Sequence, residues 1–308
     1  MKYEKPPLSF EAQADLILGR GLEADRDTLI ARLRAVNYYR LSAYWYTFRD
    51  TNAEDDRLLP GTTLDTVWRR YVFDRHLRLQ VMDVIERIEV ALRTEIVNRF
   101  TLINGPLGHL DRSNLPGLSA EDHRFLLSRI HEEQRKSRED FVRHYQEKYT
   151  SETELPLWMA VELMTFGTMY TLFRGLPSRI KKDVARTYGL YAPVLASWLR
   201  TLNVVRNICA HHARLWNRDV DVSPLVPEAS HAPDWHQPVA ITGDRMFGVL
   251  TVLYYLLKQV APQSAWKERF KQLLADYPDV PIRFMGFPEN WEDSPLWRNA
   301  EATREVAR

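Results

Sequence analysis

The sequence contains very little cysteine. Its 308 residues include one Cys, Cys209, which excludes a disulfide framework and a zinc site built from several thiolates. Glycine and proline are also few, at 12 and 17 residues, so the chain is neither collagen-like nor dominated by linkers. With 45% hydrophobic and 27% charged residues, it has the composition of a globular protein that buries a core. We expect a reducing compartment, the cytoplasm.

The sequence also lacks the signals of a secreted or membrane protein. Residues 1–7 have no apolar segment behind their lysines, so they do not resemble a signal peptide. The only membrane-like stretch, Leu155–Phe173, carries Glu162 near its middle with Gly167 close by. This pattern favours a buried helix over a membrane span, and we expect no membrane partner.

An excess of either charge is nearly absent, because the net charge is only +1. The two basic residue types, however, are used in unequal numbers. The chain has 33 Arg and nine Lys. Arg binds phosphates with two donors and stacks on flat rings, so this bias suits a nucleic-acid partner. A GC-rich genome produces the same bias without any function, and composition leaves both explanations open.

Alternating polar and apolar residues are missing over any useful length, which predicts a mainly α fold. The clearest helix runs from Thr63 to about Phe100 without Pro or Gly. Its apolar residues recur at intervals of three and four, as an amphipathic helix requires: Leu77, Val81, Val84, Ile85, Ile88, Leu92 and Ile96.

Caps and prolines predict the other helices. Ser119 and Asp122 form a capping-box pattern at the start of a charged helix that lasts to about Tyr149. The remaining predicted helices are Asp25–Val36, an apolar helix from Pro156, a short one from Pro177, one from Pro193 to roughly Trp216, Thr242–Val260 and Ser264–Ala275. Ser223–Pro238 is predicted as a loop, and an aromatic and Pro-rich tail ends the chain.

The segment 199–218 carries the candidate chemistry. No Asp or Glu lies between Asp183 and Asp219, whereas arginines accumulate there: Arg186, Arg200, Arg206, Arg214 and Arg218. A surface helix normally offsets its arginines with carboxylates three or four residues away. The pattern therefore indicates either a negatively charged partner or burial against carboxylates elsewhere, for which Glu89 and Glu162 are candidates.

Helix phase suggests which of these residues act together. Asn207 and His211 are four residues apart and share a face of the predicted helix, which the long side chain of Arg206 also reaches. His212 points about 100° away from His211. An imidazole can transfer a proton and a guanidinium can neutralise charge on phosphorus, as cleavage of RNA by its own 2′-hydroxyl requires. This chemistry needs no metal, cofactor or protein nucleophile.

One His and one Arg do not make a complete acid–base pair. A symmetric homodimer would supply two copies of each, so we expect a homodimer. Assembly of a metal site from His211, His212, His231 and His236 is disfavoured, since adjacent histidines point to different faces and no Cys or carboxylate set completes the shell. We expect no metal.

Further residues are candidates for RNA binding. The segment around Arg40 is rich in aromatic residues that could stack on unpaired bases or fill a core: Tyr38, Tyr39, Tyr44, Trp45 and Tyr46. The arginines of the long helix alternate with carboxylates, which predicts that most are solvated or paired. The predicted RNA-binding residues are Arg200, Arg214, Arg218, Arg40 and Tyr39.

These motifs resemble a known family. Arg206-Asn207-x-x-x-His211 matches the R-x4-6-H signature of the HEPN superfamily, and the longer string 206–218 resembles the hallmark of the Abi-like (AbiD/AbiF-type) abortive-infection family. Other parts of the chain resemble that family's motifs in order: Asn37–Trp45, Phe73–Arg78, Ile88–Arg93, and Leu155–Trp158 through Phe166–Gly167. The resemblance covers residues 10–220.

The resemblance implies an all-α HEPN-type helical bundle with additional N- and C-terminal helices. We expect an N-terminal helical and aromatic segment (1–60), a HEPN-like core (61–220), and a C-terminal loop and helices packed on that core (221–308). The implied function is a metal-independent endoribonuclease toxin in bacterial abortive-infection, anti-phage or toxin–antitoxin defence. Arg206 would stabilise phosphate, His211 would act as acid or base, and Asn207 would orient the imidazole or the phosphate. His212 is the other histidine that fits the spacing.

Two other functions remain open. In the first, the same residues bind RNA, such as a structured partner transcript, without cleaving it. In the second, the helix is a scaffold whose Arg and His side chains only secure packing at a dimer seam.

Overall fold

The protein is described by a computed structural model that covers residue 2 and residues 6–53 and 55–298. Most of the N-terminal stretch that lacks signal-peptide character lies outside the described residues, as do residues 299–308 of the predicted tail.

The fold is all-α, as the sequence predicts. The described residues form twelve α-helices and no β-strand, with only isolated bridges such as Glu23 to Thr63. The helices are α1 (Phe10–Gly19), α2 (Arg26–Ala35), α3 (Tyr38–Trp45), α4 (Leu64–Asn104), α5 (Ala120–Lys136), α6 (Asp140–Lys148), α7 (Leu157–Leu163), α8 (Phe166–Gly175), α9 (Ser178–Thr187), α10 (Ala192–Ala210), α11 (Met246–Val260) and α12 (Trp266–Asp276).

The long helix α4 confirms the periodicity argument. All seven apolar residues on which the prediction rests are buried, with at most 1% of their surface exposed. Ion pairs four residues apart along the helix join Asp74 to Arg78, Asp83 to Arg87, Glu89 to Arg93 and Glu95 to Arg99. The prediction that the alternating charges of this helix are mostly paired or solvated is therefore confirmed.

Two predicted helices are each divided in the structure. The charged helix begins at the predicted cap, since the Ser119 hydroxyl accepts a hydrogen bond from the Asp122 amide at 3.0 Å. It stops at Lys136, because the backbone of Ser137 is extended and its hydroxyl accepts from the Glu139 amide at 3.2 Å. A serine that binds nearby backbone competes with the helix. α6 then begins separately at Asp140.

The apolar stretch 155–173 forms α7 and α8 instead of one helix. Thr165 separates them, because its hydroxyl caps α8 by accepting from the Thr168 amide at 3.2 Å. In the described part of the chain, no helix combines the length and the apolar character needed to cross a bilayer.

The chain separates into two compact units, neither of which is a single stretch. The first unit contains the chain up to Gln80 together with Ile208–Arg218 and Trp266–Met285. The second contains Val81–Asn207, Asp219–Ala265 and the chain from Gly286. The division into segments 1–60, 61–220 and 221–308 stays a prediction.

Each unit has its own buried residues. In the first unit, α1 packs against α2 and buries Ala14, Ile17, Leu29 and Leu33. In the second, α5 packs against α7 and α8, and α11 is buried along most of its length. The predicted loop 223–238 belongs to the second unit, where the Trp198 indole donates to the Leu225 carbonyl at 2.7 Å. Apart from the short 3-10 turn Pro233–Trp235, this segment is a loop as predicted.

Candidate functional site

The helix that was predicted to run to Trp216 ends at Ala210. The Ala213 amide donates to the Ile208 carbonyl at 2.9 Å, and the His212 amide donates to the Cys209 carbonyl at 3.0 Å. This pair of bonds is a Schellman motif, which closes a helix when the residue after the cap adopts a left-handed backbone. His212 is that residue, with φ of 57°.

The prediction that places His211 within this helix is therefore wrong, because α10 ends one residue before it. His211 and His212 lie in the turn after α10, and both side chains are exposed. A β-carbon makes the left-handed conformation costly for any residue except Gly, by roughly 1 kcal/mol or more. Glycine would adopt this backbone conformation at a lower free-energy cost, yet the residue at this position is His212.

Arg206 and Asn207 lie in the second unit, near the end of α10. Asn207 is exposed and Arg206 is half-buried, and the Arg206 guanidinium approaches the Asn207 amide oxygen at 3.5 Å. One turn earlier, Asn203 lies against α8, because a β-carbon at Gly167 would come within 3.4 Å of its side-chain oxygen. Asn203, Arg206 and Asn207 thus place three polar side chains close together near the end of α10.

The carboxylates suggested as buried partners of these arginines behave differently. Glu162 is exposed, so the suggestion that it is buried against an arginine is wrong. Glu89 is largely buried and forms its ion pair with Arg93, which also donates to the Met164 carbonyl at 2.6 Å. Burial raises the pKa of the Glu89 carboxyl, and the charges of Arg93 and Arg206 oppose that rise. Arg206 therefore acts on Glu89 through its charge, beside the Glu89–Arg93 ion pair.

The arginines of segment 199–218 have few charged partners. Within the described ranges, none of Arg200, Arg206, Arg214 and Arg218 forms an ion pair, and Arg200 is exposed. Arg186 differs, because its guanidinium pairs with Asp183 at 2.9 Å. The four arginines of the motif segment thus form no ion pair among the described residues, and of these four Arg206 has the nearby charge of Glu89.

In the first unit, three of the predicted RNA-binding arginines donate hydrogen bonds to backbone carbonyls. Arg40 donates to the His212 carbonyl, and Arg214 donates to the Ala43 carbonyl at 3.0 Å. Arg218 approaches the Arg214 carbonyl at 3.4 Å. Each guanidinium has five N–H groups, so these bonds leave further donors on all three side chains.

The aromatic cluster of α3 divides into core and surface. Tyr44 and Trp45 are buried, whereas Tyr39 is 75% exposed and Tyr46 is 61% exposed. Tyr39 therefore presents a ring that a base could stack on, and the buried members fill the core.

The first unit contains a buried carboxylate, Asp74, that was not predicted from the sequence as a site residue. Asp74 is fully buried, and one carboxylate oxygen accepts the backbone amides of Leu215 at 2.9 Å and Trp216 at 2.6 Å. The other oxygen accepts from the Tyr44 hydroxyl at 2.5 Å and from Arg78. One signal was available: Asp74 and Arg78 have the spacing of the buried stripe that continues through Leu77 and Val81.

Two kinds of chemistry find no support at this site. Burial and the nearby charge of Asp74 raise the pKa of the Cys209 thiol to about 12, so it does not supply a thiolate nucleophile at neutral pH. Among the residues the structure describes, no three His, Cys, Asp or Glu side chains are grouped to hold a metal ion.

Comparison with known proteins identifies one family. Residues 31–217 match the family model described as Abi-like protein. No curated protein and no solved structure matches the chain. Since the matched span is more than half of the sequence, the protein belongs to the Abi-like family, which suggests a role in abortive-infection defence.

Proposed function

We propose that the protein is a metal-independent endoribonuclease toxin of an abortive-infection system, of the HEPN R-x4-6-H type. The observation that carries this proposal is the set of four arginines at 200–218 that form no ion pair within the described residues, interrupted by exposed Asn207, His211 and His212. Uncompensated arginines favour a polyanion, and exposed imidazoles can reach its backbone.

The chemistry assigned to these residues is transesterification within the RNA. The 2′-oxygen attacks the adjacent phosphorus, the bond to the 5′-oxygen breaks, and a 2′,3′-cyclic phosphate and a 5′-hydroxyl form. A base takes the 2′-proton and an acid protonates the leaving 5′-oxygen. The guanidinium of Arg206 stabilises the extra negative charge that develops on the phosphoryl oxygens.

The roles of the remaining residues follow from their groups. His211 supplies one proton transfer, and Asn207 orients the imidazole or the phosphate. His212 is the second candidate for the proton-transfer role. A homodimer would bring a second copy of these side chains to the same RNA, which completes the acid–base pair without any further residue type. Arg200, Arg214, Arg218, Arg40 and Tyr39 bind the rest of the RNA through phosphate contacts and stacking.

Arg206→Ala and His211→Ala are expected to lower the rate of RNA cleavage at least about 100-fold, because each removes stabilisation that exists only in the transition state. The assay uses end-labelled RNA with EDTA present, and growth inhibition in a bacterial host gives a second reading. His212→Ala shows whether the neighbouring imidazole is needed. Arg179→Ala and His144→Ala, which change exposed residues of α9 and α6, are the matched controls.

The proposal fails if the wild-type protein leaves every RNA intact in EDTA, or if all three variants cut as fast as the controls. RNA that binds without being cut would support the alternative function, a non-catalytic RNA-binding protein. In that case His211→Ala binds RNA normally, and Arg200→Ala weakens binding and reduces its dependence on salt.

A further inference from the structure

The turn that carries the histidines is held at its backbone from several sides. The Schellman bonds fix the amides of His212 and Ala213, and Arg40 binds the His212 carbonyl. Arg78 approaches the Ala213 carbonyl at 3.4 Å. Leu215 and Trp216, which follow directly, are fully buried. These contacts all lie within the first unit.

Asp74 is the centre of this arrangement. Each of its two carboxylate oxygens accepts two hydrogen bonds, one oxygen from the turn and the other from Tyr44 and Arg78. Burial raises the pKa of this carboxyl, against the charge of Arg78 and the hydrogen bonds from Tyr44, Trp216 and Leu215. Burial and the charge of Asp74 also raise the pKa of the Tyr44 phenol, so this hydroxyl stays a donor at neutral pH.

The conformation of His212 needs such support. A residue other than glycine persists in the left-handed region only where its surroundings determine the backbone, and such residues concentrate at functional sites. A buried carboxylate with four donors is a strong anchor, because a backbone amide that moves away from it loses a hydrogen bond to a charged acceptor in a buried site, where such a loss is costly. The two amides that this carboxylate binds lie three and four residues after the strained histidine, along a turn in which Arg40 and Arg78 approach two carbonyls.

We propose that Asp74 is a positioning residue for the His212 imidazole, acting through the backbone of the turn 211–216. It holds His212 in its left-handed conformation and so fixes the direction of the Cα–Cβ bond from which the exposed ring extends. The proposal rests on the proposed function, since it concerns the same histidines, but it concerns geometry that can be measured without RNA.

The test compares four full-length variants. Asp74→Asn keeps the size of the side chain, but its NH2 group must face one of the two pairs of donors. Asp74→Glu keeps the charge and displaces it by one methylene. Tyr44→Phe removes one donor from the oxygen that does not touch the turn. Leu29→Ala creates a cavity beside α2 of the same unit and controls for lost stability.

The first measurement is the NMR spectrum of ring-labelled histidine, with His211 and His212 assigned through single Gln substitutions. Asp74→Asn and Asp74→Glu are expected to shift or broaden the His212 ring signals, while Tyr44→Phe and Leu29→Ala leave them as in the wild type. If His212→Ala slows RNA cleavage, the two Asp74 variants are expected to lower kcat by about 10- to 100-fold with little change in KM, as misplacement of a reacting group does.

Should Asp74→Asn fail to fold, Asp74→Glu carries the test alone. Unchanged His212 signals in a folded Asp74 variant overturn the proposal, as does an equal change in Leu29→Ala. The two proposals can fail separately. A wild-type protein that cuts no RNA refutes the nuclease function, while the ring signals still decide whether Asp74 positions His212.

Discussion

Asp74→Ala is expected to lower the free energy of unfolding of the protein by about 4 kcal/mol. Removing one partner of a buried ion pair costs roughly 3–5 kcal/mol, because the other charge stays buried without compensation. Here the loss strands Arg78, which has 7% of its side chain exposed, and leaves the Tyr44 hydroxyl and two backbone amides without their acceptor.

Urea unfolding followed by tryptophan fluorescence measures this effect, since Trp216 is fully buried next to the anchored turn. Asp65→Ala is the matched control, because it removes an exposed carboxylate from the first turn of the same helix. We expect it to cost less than about 1 kcal/mol through the helix dipole. Equal losses in the two variants would show that the Asp74 network contributes little to stability.

Stability is expected to fall by about 3 kcal/mol between pH 6.5 and pH 4 because of His109 alone. This residue of the second unit is 1% exposed. Burial lowers the pKa of its imidazole from 6.5 to about 4, and the charges of His123 and His131 act in the same direction. The sign follows from proton binding. Between these pH values His109 binds a proton in the unfolded chain but stays mostly neutral in the folded chain, so acid favours unfolding.

His109→Leu is expected to remove this part of the pH dependence, which urea unfolding at pH 7.0, 5.5 and 4.5 detects. The quantity compared is the slope of the unfolding free energy against pH, in which other titrating groups cancel between the two proteins. His144→Ala changes an exposed histidine of α6 and should leave the slope unchanged. A His109→Leu slope equal to that of the wild type would mean that His109 protonates without cost in the folded state.

The sequence predicts α4 and its buried stripe correctly because apolar spacing alone determines them. Side-chain competition with the backbone was harder to predict. Ser137 and Thr165 each end a run that composition favours as one helix, and both do so by binding neighbouring backbone amides or capping the next helix. These helix breaks depend on single hydroxyl groups, and the spacing of apolar residues over several turns does not predict them.

At the candidate site, the sequence located the arginines and histidines but missed how they are held. The end of α10 at Ala210 depends on the left-handed backbone of His212, and no glycine marks that position. Asp74 and Trp216 are 142 residues apart along the chain, yet a hydrogen bond of 2.6 Å joins them within one unit. Only tertiary structure reveals that the motifs at 73–78 and 206–218 meet at this carboxylate.

The chemistry of the RNA ends tests the proposed nuclease most directly. Wild-type protein in EDTA, given RNA with one preferred cleavage point, is expected to produce a 2′,3′-cyclic phosphate and a 5′-hydroxyl. A single 2′-deoxy substitution at that point should abolish the cut, because it removes the attacking oxygen. Cleavage that persists on the 2′-deoxy substrate, or that yields a 3′-hydroxyl and a 5′-phosphate, would contradict the assignment of Arg206 and His211 to this reaction.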